Sequence, residues 1–256
     1  MRNRGCQCPA CRLSNEQAKR LLNMKFKYIF FLLLFIMPMS CQDELEELNE
    51  NPNQPESVSA GELFTAGTRT VVNTSVMQSF LLGNNIAQLT AKTLRTEVDV
   101  YNWNSFPAVW EGFYQGLTNI VEAERVAEAD GNAQQQGAIQ IMRVWTFSML
   151  TDAYGDVPYT EALQGSSGED EAFTPVYNTQ EEIYTGPEGL LASLEEAVNL
   201  LNSSGSISGD IIYGGDASKW QKLANSLRLR LLMRISNKMD VSNEIAQLAQ
   251  GNNLIM

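Results

Sequence analysis

A mainly α-helical fold built from helix pairs is what the sequence predicts. Three observations carry this. Apolar residues recur at helical spacing from Gly61 onward, capping residues stand where those runs begin, and strand-like alternation is scarce. A first helix is expected from about Glu62 to Gln88, with a break at Gly83. A second is expected from Pro107 to Ala129, where Val109, Phe113, Gly116, Leu117, Ile120 and Ala127 share one side. The "DGN" at Asp130–Asn132 ends it. A third runs from Ala133 to Tyr154 and carries Ile139, Met142, Val144, Trp145, Met149 and Leu150.

The second and third helices are each about 20 residues long and joined by a short turn, an αα-hairpin of the kind used in helical repeat folds. Trp110, Phe113 and Tyr114 loosely echo the opening of a tetratricopeptide repeat, but no fixed period is visible. Thr179 followed by Glu182 predicts a capping box and a fourth helical region. "GPEG" at Gly186–Gly189 interrupts that region before Leu190–Leu201. A fifth helix starts behind Asp216, a plausible N-cap, with Trp220, Leu223, Ala224, Leu227 and Leu231 in one stripe. Arg228, Arg230 and Arg234 fall on its other sides, and "DIIY" (Asp210–Tyr213) is the one strand candidate.

Composition narrows the function. The 256 residues hold 18 basic and 30 acidic side chains and no histidine. Residues 1–40 carry seven of the basic side chains and one acid, which leaves 11 basic and 29 acidic residues, a formal −18, for the rest. A body this acidic repels phosphate backbones, so nucleic acid is not an expected partner. The lack of histidine removes the usual general base near neutral pH and the commonest zinc ligand. No catalytic residue, metal site or cofactor is expected.

The front of the chain reads as an address. From Met24, Lys25 and Lys27 precede a ten-residue apolar run, Tyr28–Met37, too short for a resident bilayer helix of about 20 residues. Ser40 then stands directly before Cys41, which resembles a bacterial lipoprotein cleavage site and makes Cys41 the expected acylated residue. Pro38 and Met39 depart from the tight form of that motif. Residues 1–40 are therefore read as an upstream extension with a signal peptide, Met24 being a better start than Met1. Cys6, Cys8 and Cys11 in "CQCPAC" lack a fourth convergent metal ligand nearby. Residues 41–60 are acidic and rich in Asn and Pro, and read as a flexible tether. Residues 61–256 form the expected helical domain. The acids behind Cys41 also resemble the surface-export signal of Bacteroidota lipoproteins.

Sites were sought in two stretches. "DAYGDVPYTEAL" (Asp152–Leu163) gathers acids and rings, and Asp152 and Asp156 could in principle form a carboxylate pair for glycoside hydrolysis. Its context reads better as a helix exit: Gly155 permits a sharp turn, Pro158 keeps Val157 extended, Tyr154 and Tyr159 pack inward, and Asp156 bonds to backbone. The other stretch is the loop Tyr101–Asn102–Trp103–Asn104 ahead of the second helix. Aromatic plates beside Asn side chains suit a sugar, whose C–H faces lie on rings while its hydroxyls meet amides. These four are the expected ligand contacts.

"LTDAYGDVPYTEAL" (Leu150–Leu163), "FTPVYNTQEEIY" (Phe173–Tyr184) and "GDIIYGGDASKWQKLANSLRLRLLMRIS" (Gly209–Ser236) occur in the order and spacing of the SusD/RagB family, and the chain from Cys41 onward resembles its SusD-like lipoprotein branch. The resemblance implies a scaffold of tetratricopeptide-like helix pairs, a SusD-like α–α superhelix. It implies an outer-membrane lipoprotein facing the extracellular side and capping a TonB-dependent SusC-like transporter. Such a protein delivers an oligosaccharide or peptide nutrient and does not catalyse. Asp152, Tyr154, Gly155, Asp156, Pro158, Tyr159, Asp216 and Trp220 fall on the family's structural motifs. Family chains are longer, so an amino-terminal portion is expected. The competing readings are a peptide-binding member and a helical-repeat adaptor that binds only protein.

Overall fold

Ser59 starts the first helix. Its hydroxyl accepts from Glu62 N at 3.3 Å, and the Glu62 carboxylate accepts from Ser59 N at 3.1 Å, a capping box that opens α1 (Ala60–Gln78). The computed structural model describes residues 58–102, 105–165, 173–251 and 253–255. The expected continuation to Gln88 is not a plain helix. The coil widens into a π turn, Ser79–Gly83, and then into the three-residue α2 (Asn84–Ile86). Gly83 sits at an ordinary helical φ of −56°, so it is not the breaking point. The run closes at Asn84, whose carbonyl receives the amides of Leu89 and Thr90.

Helix α3 (Pro107–Ala129) has proline in its first turn, where a missing N–H costs nothing. It lies close along α1 because glycines face the contact. A Cβ on Gly67 would stand 2.6 Å from Ile120 Cγ1, and one on Gly116 would stand 2.4 Å from Val71 Cγ1. Phe113, Leu117, Ile120, Ala123 and Ala127 then fill the seam as buried residues. Helix α4 (Ala133–Tyr154) follows a turn at Gly131, φ +66°, and is capped by Asn132 Oδ1 accepting from Gln135 N at 3.2 Å. It is buried all round over residues 137–142, touching α1 and α3 and, later in the chain, α5 to α7.

The chain then makes a small antiparallel pair, β1 (Val157–Pro158) with β2 (Tyr177–Asn178), Val157 facing Asn178 and Pro158 facing Tyr177. A two-residue strand is too short to leave a pattern in the sequence, and neither was foreseen. The capping box at Thr179 opens α5 (Gln180–Thr185) as expected, and "GPEG" separates it from α6 (Leu190–Leu201). Asp216 caps α7 (Ala217–Ile235) by accepting from Ser218 N and Lys219 N at 3.0 and 3.3 Å. Along α7, Trp220, Ala224, Leu227 and Leu231 are buried. A last helix, α8 (Ser242–Gln250), was not expected; none of its residues is fully buried, and Ile245 and Leu248 are its half-buried positions.

The expected strand at "DIIY" is a turn. Asp210 Oδ1 accepts from Ile212 N and Tyr213 N at 2.8 and 3.0 Å, while Oδ2 accepts from Gly215 N at 2.8 Å and Trp220 Nε1 at 2.7 Å. A carboxylate that gathers three amides wraps the backbone around itself, and extended backbone cannot do that. Burial pushes the Asp210 carboxyl up, but the amides of Tyr213 and Gly215, the Trp220 indole and the Ile212 amide together hold it below the usual carboxylate range.

Two outcomes test this account. Gly116→Ala should destabilise the protein by about 1–3 kcal/mol in urea unfolding through overpacking against α1, whereas Gly83→Ala, with its nearest neighbour 3.9 Å away, should be near neutral. Asp210 stabilises fully above its unfolded pKa of about 3.9, and that contribution fades as pH falls through its lower folded value. Asp210→Asn should therefore cost about 1 kcal/mol at pH 7 and flatten the acid limb of a stability–pH curve.

Candidate functional site

The exit of α4 builds the neighbourhood of the site. Gly155 takes φ +79°, its amide donates to Thr151 O at 2.8 Å, and Thr151 Oγ1 returns a bond to Gly155 O at 2.7 Å. Asp156 Oδ1 accepts from Gln180 N at 2.9 Å, the backbone bond expected of it, and Gln180 Nε2 donates to Thr151 O at 2.7 Å. Tyr159 is buried, with its hydroxyl on Glu188 O at 2.7 Å, and Tyr154 is half-buried, with its hydroxyl on Phe106 O at 2.6 Å. Asp152 Oδ1 accepts from Tyr184 Oη at 2.6 Å and pairs with Arg234 Nε at 3.0 Å. The two carboxylates considered for hydrolysis are thus tied to the scaffold.

The exit turn carries a run of rings onto the amino-terminal part of α3. Trp110 packs against Tyr114 at 4.8 Å, meets Tyr154 edge-on at 5.2 Å, and stacks with Tyr177 at 6.3 Å and 20°. Tyr114 donates to Pro158 O at 2.8 Å, which locks α3 to β1. Burial raises the Tyr114 phenol far above its ordinary range, with Tyr177 adding to the effect, so it stays a neutral donor. Trp110, Tyr114 and Tyr177, with Pro158, Ala162, Leu163, Thr174 and Pro175, line a cleft of about 450 Å³. Tyr177 is 60% exposed at its mouth. Leu163 holds φ +65°, a conformation unfavourable for a bulky side chain and of the kind that gathers at binding sites.

Asn178 fixes the other side of the turn. Its Oδ1 accepts from Tyr159 N, Thr160 N and Thr160 Oγ1 at 3.1 to 3.2 Å. Glu161 Oε2 accepts from Val176 N at 3.0 Å. Trp110 and Tyr114 are half-buried, packed on the core on one side and open onto the cleft on the other. Tyr177 was missed because its role depends on β2 bringing it over Trp110. The only hint was its place in an aromatic-containing motif.

Of the loop expected to touch ligand, Tyr101 and Asn102 are exposed, while Trp103 and Asn104 lie outside the described residues. Tyr101 sits at φ +55° and donates its hydroxyl to Ile86 O at 3.0 Å, so its ring is held in place but its phenol is engaged. Asp216 and Trp220 serve as cap and core, as their motif suggested. Cys41 also lies outside the described residues.

Residues 52–256 match the model of the SusD-like family described as starch-binding and associating with the outer membrane. The chain belongs to this family. Among solved structures, it is similar to a chitin-binding protein at 31% identity and TM-score 0.58, over 75% of this chain and 43% of the other. Two SusD homologues from Bacteroides fragilis match at 27% and 26% identity, with TM-scores of 0.60 and 0.62, each over 78% of this chain and 42% of theirs. The chain spans less than half the length of these structures. No curated protein matches it. The mainly helical fold and the family expected from the motifs both stand.

If the ring stack is held as described, Tyr154→Phe should cost about 1 kcal/mol in unfolding free energy through loss of the Phe106 bond. Tyr177→Ala, at an exposed site, should change stability by about 0.5 kcal/mol or less.

Proposed function

We propose that this chain captures a glycan at the outer membrane and hands it to a partner TonB-dependent SusC-like transporter. The observation that carries the reading is the family match over residues 52–256, with its starch-binding, membrane-associated description. The similarity to a chitin-binding protein supports a carbohydrate ligand. The sequence around Cys41 supports a lipid anchor on the extracellular side, with residues 41–60 as its tether and the helical body from residue 61 as the binding part.

The aromatic cleft suits this work. A pyranose ring presents C–H faces that gain by leaving water for a rigid aromatic surface. Trp110 backs Tyr177 and is itself held by Tyr114 and Tyr154, so little side-chain freedom remains to be lost on binding. The loop at Tyr101, Asn102, Trp103 and Asn104 would add amide contacts to sugar hydroxyls. The stacking face serves for capture and needs no proton transfer, in keeping with a chain that has no histidine.

Calorimetry against oligosaccharides derived from starch and chitin should yield binding that Tyr177→Ala weakens about tenfold, close to 1.4 kcal/mol. Silence across a broad oligosaccharide panel would overturn the glycan reading. In cells, the protein should be labelled by radioactive palmitate and pull down a TonB-dependent barrel. Cys41→Ala should abolish the labelling.

A further inference from the structure

A second cleft, of about 770 Å³, lies between the end of α4, helix α5 and the end of α7. Arg234 and Lys238 line it from α7 and the turn beyond, beside two exposed methionines, Met233 and Met239. Arg234 is about half exposed, and its Nε is bound to Asp152 at 3.0 Å. Asp152 is in turn held by the Tyr184 hydroxyl at 2.6 Å, and Tyr184 is buried. The guanidinium is therefore oriented within the cleft wall by a carboxylate that a phenol holds in turn. The turn after α7 folds back through Lys238 N and Met239 N, both donating to Ile235 O, at 2.7 and 3.1 Å. That turn brings Lys238 and Met239 to the same rim.

A cation near the carboxyl end of a helix is favourable in itself, since it faces the negative end of the helix dipole. That accounts for a basic residue here but not for its fixing by a buried network in a wall of the larger cleft. Glu181 and Asp152 also line the cleft and balance its two cations. A neutral cleft of this kind disfavours multiply charged anions such as phosphate. It suits one carboxylate, which the planar guanidinium can grip. The methionines offer a pliable apolar surface next to it.

We infer that the cleft between α4, α5 and α7 is a second binding site, separate from the aromatic cleft, for a ligand carrying a single carboxylate beside an apolar group. Both a short peptide ending in an apolar residue and a uronic acid sugar have that chemistry. Arg234 receives the carboxylate, Lys238 strengthens the field, and Met233 and Met239 pack on the apolar group.

The test is calorimetry on the full chain with four probes: a leucine-ended tripeptide as free acid and as amide, and a disaccharide with one uronic acid residue as free acid and as methyl ester. At least one free acid should bind about tenfold more tightly than its neutral counterpart. Whichever pair shows this names the source. The preference should shrink in Lys238→Gln, fall further in Arg234→Gln, and persist in Arg69→Gln, which removes an exposed charge on α1. Arg234→Gln also removes a scaffold contact, so Lys238→Gln decides if that variant unfolds. Equal binding of acid and neutral forms, binding of neither pair, tighter binding of inorganic phosphate, or an unchanged preference in Lys238→Gln would overturn the inference. Failure of the glycan experiment leaves this result untouched, because here only the carboxylate is scored.

Discussion

Helix α4 is the constraint on which the rest of the structure depends. It is surrounded by α3, α6 and α7, with further contacts to α1, α5 and β1. A helix buried all round through its middle has no polar face turned to water there, so its polar side chains need partners within the protein. Gln135 pairs with Ser208 as a strand would, accepting from its amide at 2.6 Å and donating to its carbonyl at 3.1 Å. Arg143 pairs with Glu124 on α3 at 3.0 Å, and Gln140 donates to Glu196 on α6 at 3.0 Å. These bonds choose which neighbour lies against which side of α4. Apolar contacts alone would leave that choice open, since they are not directional.

The end of the same helix sets both clefts. Its last turn sends Asp152 toward α5 and α7, and Tyr154 toward α3. Gly155 then turns the chain so that β1 can pair with β2, which brings Tyr177 over Trp110. A motif that gathers acids and rings thus organises the walls of two clefts. Its acids orient backbone and cations, and its rings support other rings. The exposed groups, Tyr177 on one side and Arg234 with Lys238 on the other, come from elsewhere in the chain.

Much of the helical framework was legible because its signals are local. The capping box at Thr179, the proline at Pro107, the cap at Asp216 and the left-handed glycine at Gly155 each act within a turn of their own position. Trp220 was legible as core because its stripe on α7 repeats at helical spacing. The "DIIY" segment was misread because its apolar β-branched pair looks like a strand, while the deciding group, Asp210, acts by collecting amides up to five residues away and an indole on α7. The π turn after α1 was misread because glycine looks like a breaker, although Gly83 keeps helical geometry and the closure lies at Asn84.

By itself the sequence determined the helical class, most helix boundaries, the acidic character and the family, since periodicity, caps and ordered motifs are carried by neighbouring residues. Only the tertiary structure decided which rings and cations share a cleft. Trp110 and Tyr177 are 67 positions apart, and Asp152 and Arg234 are 82 apart. Their meeting depends on how α3, α4, β2 and α7 pack. No local propensity records that packing, because it is a property of side chains fitted together across the core.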